Sequence, residues 1–260
     1  MPQVVREIPT ELERKRVQAA LAAHDDWFYD FSFANGASSG LDDPFIVATH
    51  TTRAELVFPV LDETFGGRWQ HTSCLDMACH QGWFAMQMAL RGAREVRGVD
   101  IRPAHIERAR LISELADLDN ARFDLGNLFD LDPERDGTFG LTLFLGILYH
   151  LENPVGALKT ARALTEELCV VETQVAHSVP PMTYRWGPDP NRRTGSAIAV
   201  GRVDELHAAE GGAVVLVPTL EALYDMLYAA GFSNVRRAEP PPGAQEQYAS
   251  GDRVILFAET

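Results

Sequence analysis

Asp76 and Asp100 lie 24 residues apart and each closes a short apolar run. After Asp76 the chain turns through Ala78-Cys79-His80-Gln81-Gly82. Phe84, Met86, Met88, Ala89 and Leu90 then recur at helical spacing until Gly92, and Val96 to Val99 leads into Asp100. Strand, tight turn, helix and a second strand ending in an acid is the βαβ arrangement with which open parallel sheets bind nucleotides. A second candidate pair, Tyr149-His150, follows the near-continuous apolar run from Thr138 to Leu145. Such a run is a central strand buried on both faces, and ligands of these sheets meet the carboxyl ends of the strands. Histidine titrates near neutrality, so His150 is a candidate general base, with Tyr149 beside it as a hydrogen-bonding group. A histidine that only fixes its own loop is the alternative. His71, His80, His150, His177 and Glu172 have metal-ligating chemistry, but no pair has metal-site spacing, so no metal is expected. No G-x-S-x-G elbow occurs and Cys79 stands in apolar surroundings, which argues against an acyl-transfer nucleophile.

The elements that must position these residues can be read around them. Thr10 as N-cap, with Glu13 three residues on, opens a helix over 10–24. An aromatic-dense stretch follows from Trp27 to Phe45, broken by Gly36 and Gly40, and a second helix is expected over Thr51 to Phe65. Pro103 starts the helix after Asp100, Ala121 to Leu125 is a short strand, Pro154 opens a helix to Leu164, and Glu166 to Val175 is the fifth strand. Strands alternating with helices predict an α/β, doubly wound parallel sheet. Residues 176–217 break that rhythm with Pro, Gly and polar residues, as a functional lid does. Thr219 then caps a helix that stops at Gly231, and Phe232–Ala238 and Arg253–Ala258 close the chain as strands. The expected organisation is a helix and aromatic cap over 1–50, then one sheet domain over 51–260 with the lid at 176–217.

Composition narrows the partners. Acids outnumber bases by 37 to 23 and the net charge is −14, which weakens the case for a nucleic-acid partner. No run reaches the length of a membrane span, and the start of the chain lacks the apolar core of a secretory signal. The cysteines are three, an odd number, so a reducing, cytoplasmic setting is expected. A homodimer is left open.

Over roughly residues 50 to 260 this layout resembles the class I S-adenosylmethionine-dependent methyltransferases, whose first strand ends in a D-x-G-x-G-x-G turn. Asp76 keeps the first position, Ala78 and His80 stand at the first two glycines, and Gly82 keeps the third. The tRNA wobble-uridine carboxymethyltransferase subgroup has a relaxed turn, D-x-G-C-N-x-G, which DMACHQG is similar to. FLGILYHLENP resembles that subgroup's G-V-L-Y-H-L-x-x-P motif, CVVETQV its fifth strand, and WFYDFSFANG its N-terminal leader. The resemblance implies a Rossmann-like seven-stranded sheet in the order 3-2-1-4-5-7-6, with the last strand antiparallel. It implies S-adenosyl-L-methionine held by Asp76, Ala78, His80, Gly82 and Leu145, with Asp100 and Ile101 at the ribose and Asn127 and Leu128 at the adenine. The expected reaction is methyl transfer to a small-molecule acceptor, most directly a hydroxyl oxygen, beneath the leader and the lid. Trp27, Tyr29, Glu172, Tyr184 and Trp186 are its substrate-side candidates. The alternatives are methyl or carboxymethyl transfer to a tRNA wobble uridine, and cofactor binding without turnover. In the carboxymethyl relatives the tyrosine of the YHL motif and basic groups hold an extra cofactor carboxylate. Here the leader offers no lysine beyond Lys15, which favours ordinary S-adenosylmethionine.

Overall fold

A computed structural model describes residues 11–34, 36–177, 198–202 and 214–260. In chain order the elements are α1 (Glu11–Ala22), α2 (Pro44–Phe65), β1 (Ser73–Met77), α3 (Trp83–Leu90), β2 (Glu95–Asp100), α4 (Pro103–Leu115), β3 (Ala121–Leu125) and α5 (Pro133–Asp136). They continue with β4 (Phe139–Leu145), α6 (Pro154–Leu164), β5 (Thr165–Gln174), β6 (Ile198–Arg202), β7 (Val214–Pro218), α7 (Leu220–Ala230), β8 (Ser233–Arg237), α8 (Glu246–Ser250) and β9 (Arg253–Glu259). Seven strands form one sheet in the order β3-β2-β1-β4-β5-β9-β8, parallel from β3 to β5 and antiparallel at β9. Set aside β6 and β7, and this is the expected 3-2-1-4-5-7-6 order.

Two boundaries differ from the sequence reading. Helix α2 begins at Pro44 instead of Thr51: Asp43 accepts hydrogen bonds from the Phe45 and Ile46 amides, and Pro44 holds the helical φ of the first position. Within the stretch read as irregular, β6 and β7 pair as an antiparallel ribbon, Ile198 opposite Pro218 through Arg202 opposite Val214. Tyr184, Trp186, the Thr10 cap and most of the expected lid lie outside the described residues.

The sheet's alternation decides which residues share the site. In β1, Cys74 packs with α2, α3 and the leader, while Leu75 and Met77 pack with α6 and α7 on the other face. Period two then puts Asp76 on the α3 face. The same parity puts Glu172 with Leu168 and Val170, and Arg253 with Ile255 and Phe257, again on the α2 face. Three charged residues remote in sequence thus face one layer of the fold.

Candidate functional site

The turn after β1 is held in an unusual backbone conformation. Ala78, His80 and Gly82 have φ of 60°, 52° and 77°, so all three positions aligned with the family's glycines are left-handed. Histidine is among the side chains enriched in that region, whereas alanine pays a Cβ clash. At Gly82 no side chain is admissible, because a Cβ would fall 2.4 Å from the Phe123 ring. We expect Ala78→Gly to raise unfolding stability by about 0.5–1 kcal/mol, since relief of the left-handed strain exceeds the added freedom of glycine in the unfolded chain. Urea denaturation checks this, and an unchanged or lower midpoint would mean that the turn holds no such strain.

Two carboxyls flank the turn in contrasting environments. Asp76 is 3% exposed. Burial, only partly offset by the Ala85 backbone amide and Arg53, pushes its carboxyl up to about 8. Asp100 is also buried, yet its carboxyl is held below the ordinary range: burial raises it, and hydrogen bonds from His105, Arg102 and His80 outweigh that. The His80 amide donates to Asp100 Oδ2 at 2.9 Å, the Arg102 amide to Oδ1 at 2.9 Å, and His105 Nδ1 lies 3.1 Å from Oδ1. Asp100 therefore ties the end of β2 to the left-handed turn and keeps an ionised carboxylate at the sheet edge.

A ring stack covers this corner. His80 stacks on His105 with centroids 3.6 Å apart, and Phe28 stacks on His80 at 4.6 Å. Phe28 and Tyr29 come from the leader, which Gln81 fastens to the turn. The Phe28 amide donates to Gln81 Oε1 at 2.9 Å and Gln81 Nε2 donates to the Asp26 carbonyl at 2.7 Å. From α4, Arg108 Nε donates to Asp26 Oδ1 at 2.9 Å. Tyr29 stacks on His50 of α2 at 4.2 Å. The Nδ1 atoms of His50 and His80 are buried without a hydrogen-bond partner, and burial depresses the two imidazoles to about 2 and about 3. Two unsatisfied ring nitrogens beside a strained turn are what a polar ligand at this corner would satisfy.

The other sequence candidates distribute as follows. Ile101 is 49% exposed beside Asp100 and Leu128 is buried, which leaves an apolar face and an apolar floor on either side of the β2–β3 edge. Asn127 Oδ1 accepts from the Phe129 amide at 3.0 Å, capping the turn over 128–130. Leu145 is partly buried at the end of β4. Tyr149 and His150 sit partly exposed in the following turn over 148–150, rings 4.2 Å apart. Trp27 is turned away from the turn, its indole N–H donating to the Leu21 carbonyl at 3.0 Å. Glu172 is fully buried and stands under the site instead of on its rim. Its Oε1 accepts from Arg253 Nη1 at 2.7 Å and Tyr248 Oη at 3.0 Å, and its Oε2 from Arg53 Nη2 at 3.2 Å. Burial raises the Glu172 carboxyl, but Arg253 and Arg53 outweigh it and hold the group ionised below its ordinary range.

Sequence reasoning missed Phe28, His50, Arg53, Gln81, His105, Tyr248 and Arg253. Phe28 stood inside the quoted aromatic stretch, and Arg253 opens a strand that was recognised. The others are helix or turn positions whose contacts span up to 195 residues, and no local pattern marks them.

An Asp–turn–Asp edge with orphaned imidazole nitrogens and an exposed apolar face suits an adenosyl amino acid in shape and chemistry. Known proteins share the frame. Residues 70–192 match the family model of a methyltransferase domain. A ubiquinone biosynthesis O-methyltransferase of Neisseria meningitidis is 26% identical over 92 residues, 35% of this chain and 39% of that protein. The chain thus spans about two fifths of the length of the curated relatives it matches. Among solved structures, the N-terminal domain of EvdMO1, crystallised with SAH bound, superposes with a TM-score of 0.70 at 19% identity, over 95% of this chain and 97% of that one. Magnesium protoporphyrin IX methyltransferase from Synechocystis PCC 6803, with bound SAH, gives a TM-score of 0.57 at 16% identity over 96% and 94%. Residues 70–192 thus match a methyltransferase domain, and the chain shares the fold of these solved structures.

Proposed function

We propose that this protein transfers the methyl group of S-adenosylmethionine to a hydroxyl oxygen of a small-molecule acceptor. The observation that carries the reading is the triple left-handed turn at 78, 80 and 82 clamped to Asp100, with the leader's Phe28 and Tyr29 packed on it. Asp76, Ala78, His80 and Gly82 would hold the methionine side, Asp100 the ribose hydroxyls, and Ile101, Asn127 and Leu128 the adenine. When bound, the cofactor supplies an electrophilic methyl group on sulfur. The chain's part is to orient the acceptor in line with that carbon, to keep water out and to take the hydroxyl proton. His150, in the turn after β4, is the residue we assign to the proton, with Tyr149 orienting the acceptor. The small-molecule class is supported by the aromatic cover over the site, by the net charge of −14 and by the ubiquinone biosynthesis O-methyltransferase of Neisseria among its relatives.

A second reading, a wobble-uridine carboxymethyltransferase, draws support from one contact. Arg253 lies over the Tyr149 ring at 5.6 Å and supplies a basic group beside that tyrosine.

Calorimetry with S-adenosylhomocysteine tests the cofactor assignment. Asp100→Ala should weaken binding by about a hundredfold, because it removes the hydroxyl acceptor and also the bonds that hold the turn. No binding by the parent protein, or equal binding by the variant, would sink the proposal. A tRNA shift in a gel at low salt would favour the second reading.

A further inference from the structure

Glu172 lies between two guanidinium groups and neutralises one of them. Arg53 and Arg253 are 6% and 7% exposed, and Glu172 is the anion that both contact. Arg53 spends Nε on Tyr248 Oη and Nη2 on Glu172, while Arg253 spends Nε on Gln247 Oε1 and Nη1 on Glu172. Among the described residues, Arg53 Nη1 and Arg253 Nη2 have no acceptor. Glu172 thus gives one negative charge to two guanidinium groups, each of which keeps a terminal nitrogen open to a further acceptor.

Its position says what a further anion there would belong to. Glu172 pairs with Leu145 across β4 and β5, and Gly146, at φ 73°, brings backbone against both Glu172 and Arg53. A Cβ at Gly146 would stand 3.3 Å from Glu172 Oε2 and 3.4 Å from Arg53 Nη2. The cluster is therefore at the carboxyl ends of β4 and β5, beside Tyr149 and away from the adenosine edge at β2 and β3. Arg53 is the inner member, close enough to act on Asp76 and Tyr29, and Arg253 is the outer one, over Tyr149.

Resting on the methyltransferase reading above, we propose that the acceptor is a carboxylic acid with an aromatic body, its carboxylate received by Arg253 and Arg53. The planar guanidinium fork presents paired donors matched to a carboxylate, and the Tyr29 and Phe28 rings on the same face would flank the acceptor's ring.

The test uses benzoate and its neutral isostere benzamide, titrated into the protein saturated with S-adenosylhomocysteine and followed by ligand-observed NMR. Benzoate should bind about tenfold more tightly than benzamide. Arg253→Gln should erase that preference, and Arg253→Lys, which keeps the charge facing Glu172, should retain a reduced one. Equal binding of the two probes, binding of neither, or a preference untouched in both variants would overturn the proposal. Benzoate that displaces S-adenosylhomocysteine would assign the pair to a cofactor-borne carboxylate and would overturn it too. Cofactor binding is scored separately by calorimetry on the same protein, so loss of the cofactor reading and loss of the carboxylate reading give different results.

Discussion

Glu172→Gln should destabilise the fold by about 3–5 kcal/mol, the cost of leaving buried guanidinium groups without their counter-ion. The magnitude follows from the geometry. Both arginines and Tyr248 donate to this one carboxylate, and a carboxamide keeps its shape while removing its charge. Part of the loss should return in the double variant Glu172→Gln with Arg53→Met, because one orphaned charge is then removed along with its partner. Urea denaturation of the single and double variants reads both effects. A single-variant cost below about 1 kcal/mol would place the network in the class of solvated surface pairs. An additive double variant would show that the charges do not interact.

This cluster also marks where the sequence stops being informative. The strands, their punctuation and the two aspartates are local features, since an apolar run that ends in an acid and a glycine can be read within a dozen residues. The unusual turn was legible too, because Ala78 and His80 stand where an alignment asks for left-handed backbone, and their φ values are left-handed. The start of α2 was missed although the signal was present: Asp43-Pro44 is an N-cap followed by a first-turn proline, masked by the aromatic stretch before it. Arg53–Glu172 and Arg253–Glu172 are different in kind. They join a helix to two strands across 119 and 81 residues, so no spacing announces them. Once the strands are known, parity places Glu172 and Arg253 on one face. That α2 turns Arg53 toward them depends on how the helix packs, which is decided by the whole core.

The stability of the protein should peak near pH 6.5 and fall on both sides, because three buried groups at the site titrate far from their ordinary ranges. His50 and His80, depressed chiefly by burial to about 2 and about 3, stay neutral in the fold, whereas in the unfolded chain they take protons below 6.5. The unfolded state then binds more protons, so their contribution is complete above 6.5 and is lost as the pH falls. Asp76 works in the opposite sense. Its carboxyl keeps a proton up to about 8 in the fold but loses it near 3.8 when unfolded, so its contribution fades as the pH climbs from about 4 to about 8. Between pH 4.5 and 6.5 the two histidines outweigh the one aspartate, leaving a net loss of about 1.4 kcal/mol per pH unit on acidification. Between 6.5 and 8 only Asp76 remains, and the slope reverses with a similar size. Above pH 9 the buried thiols extend the decline, Cys169 being pushed up to about 12 by burial. Asp76→Asn separates these effects, because the carboxamide imitates the protonated acid and can still accept from the Ala85 amide. Thermal melts of the variant should be flat from pH 6.5 to 8, while the parent loses ground over the same interval. Parallel curves for the two proteins would mean that Asp76 is ionised in the fold, paired with Arg53. The cluster around Glu172 would then carry no surplus charge and would need no acidic acceptor.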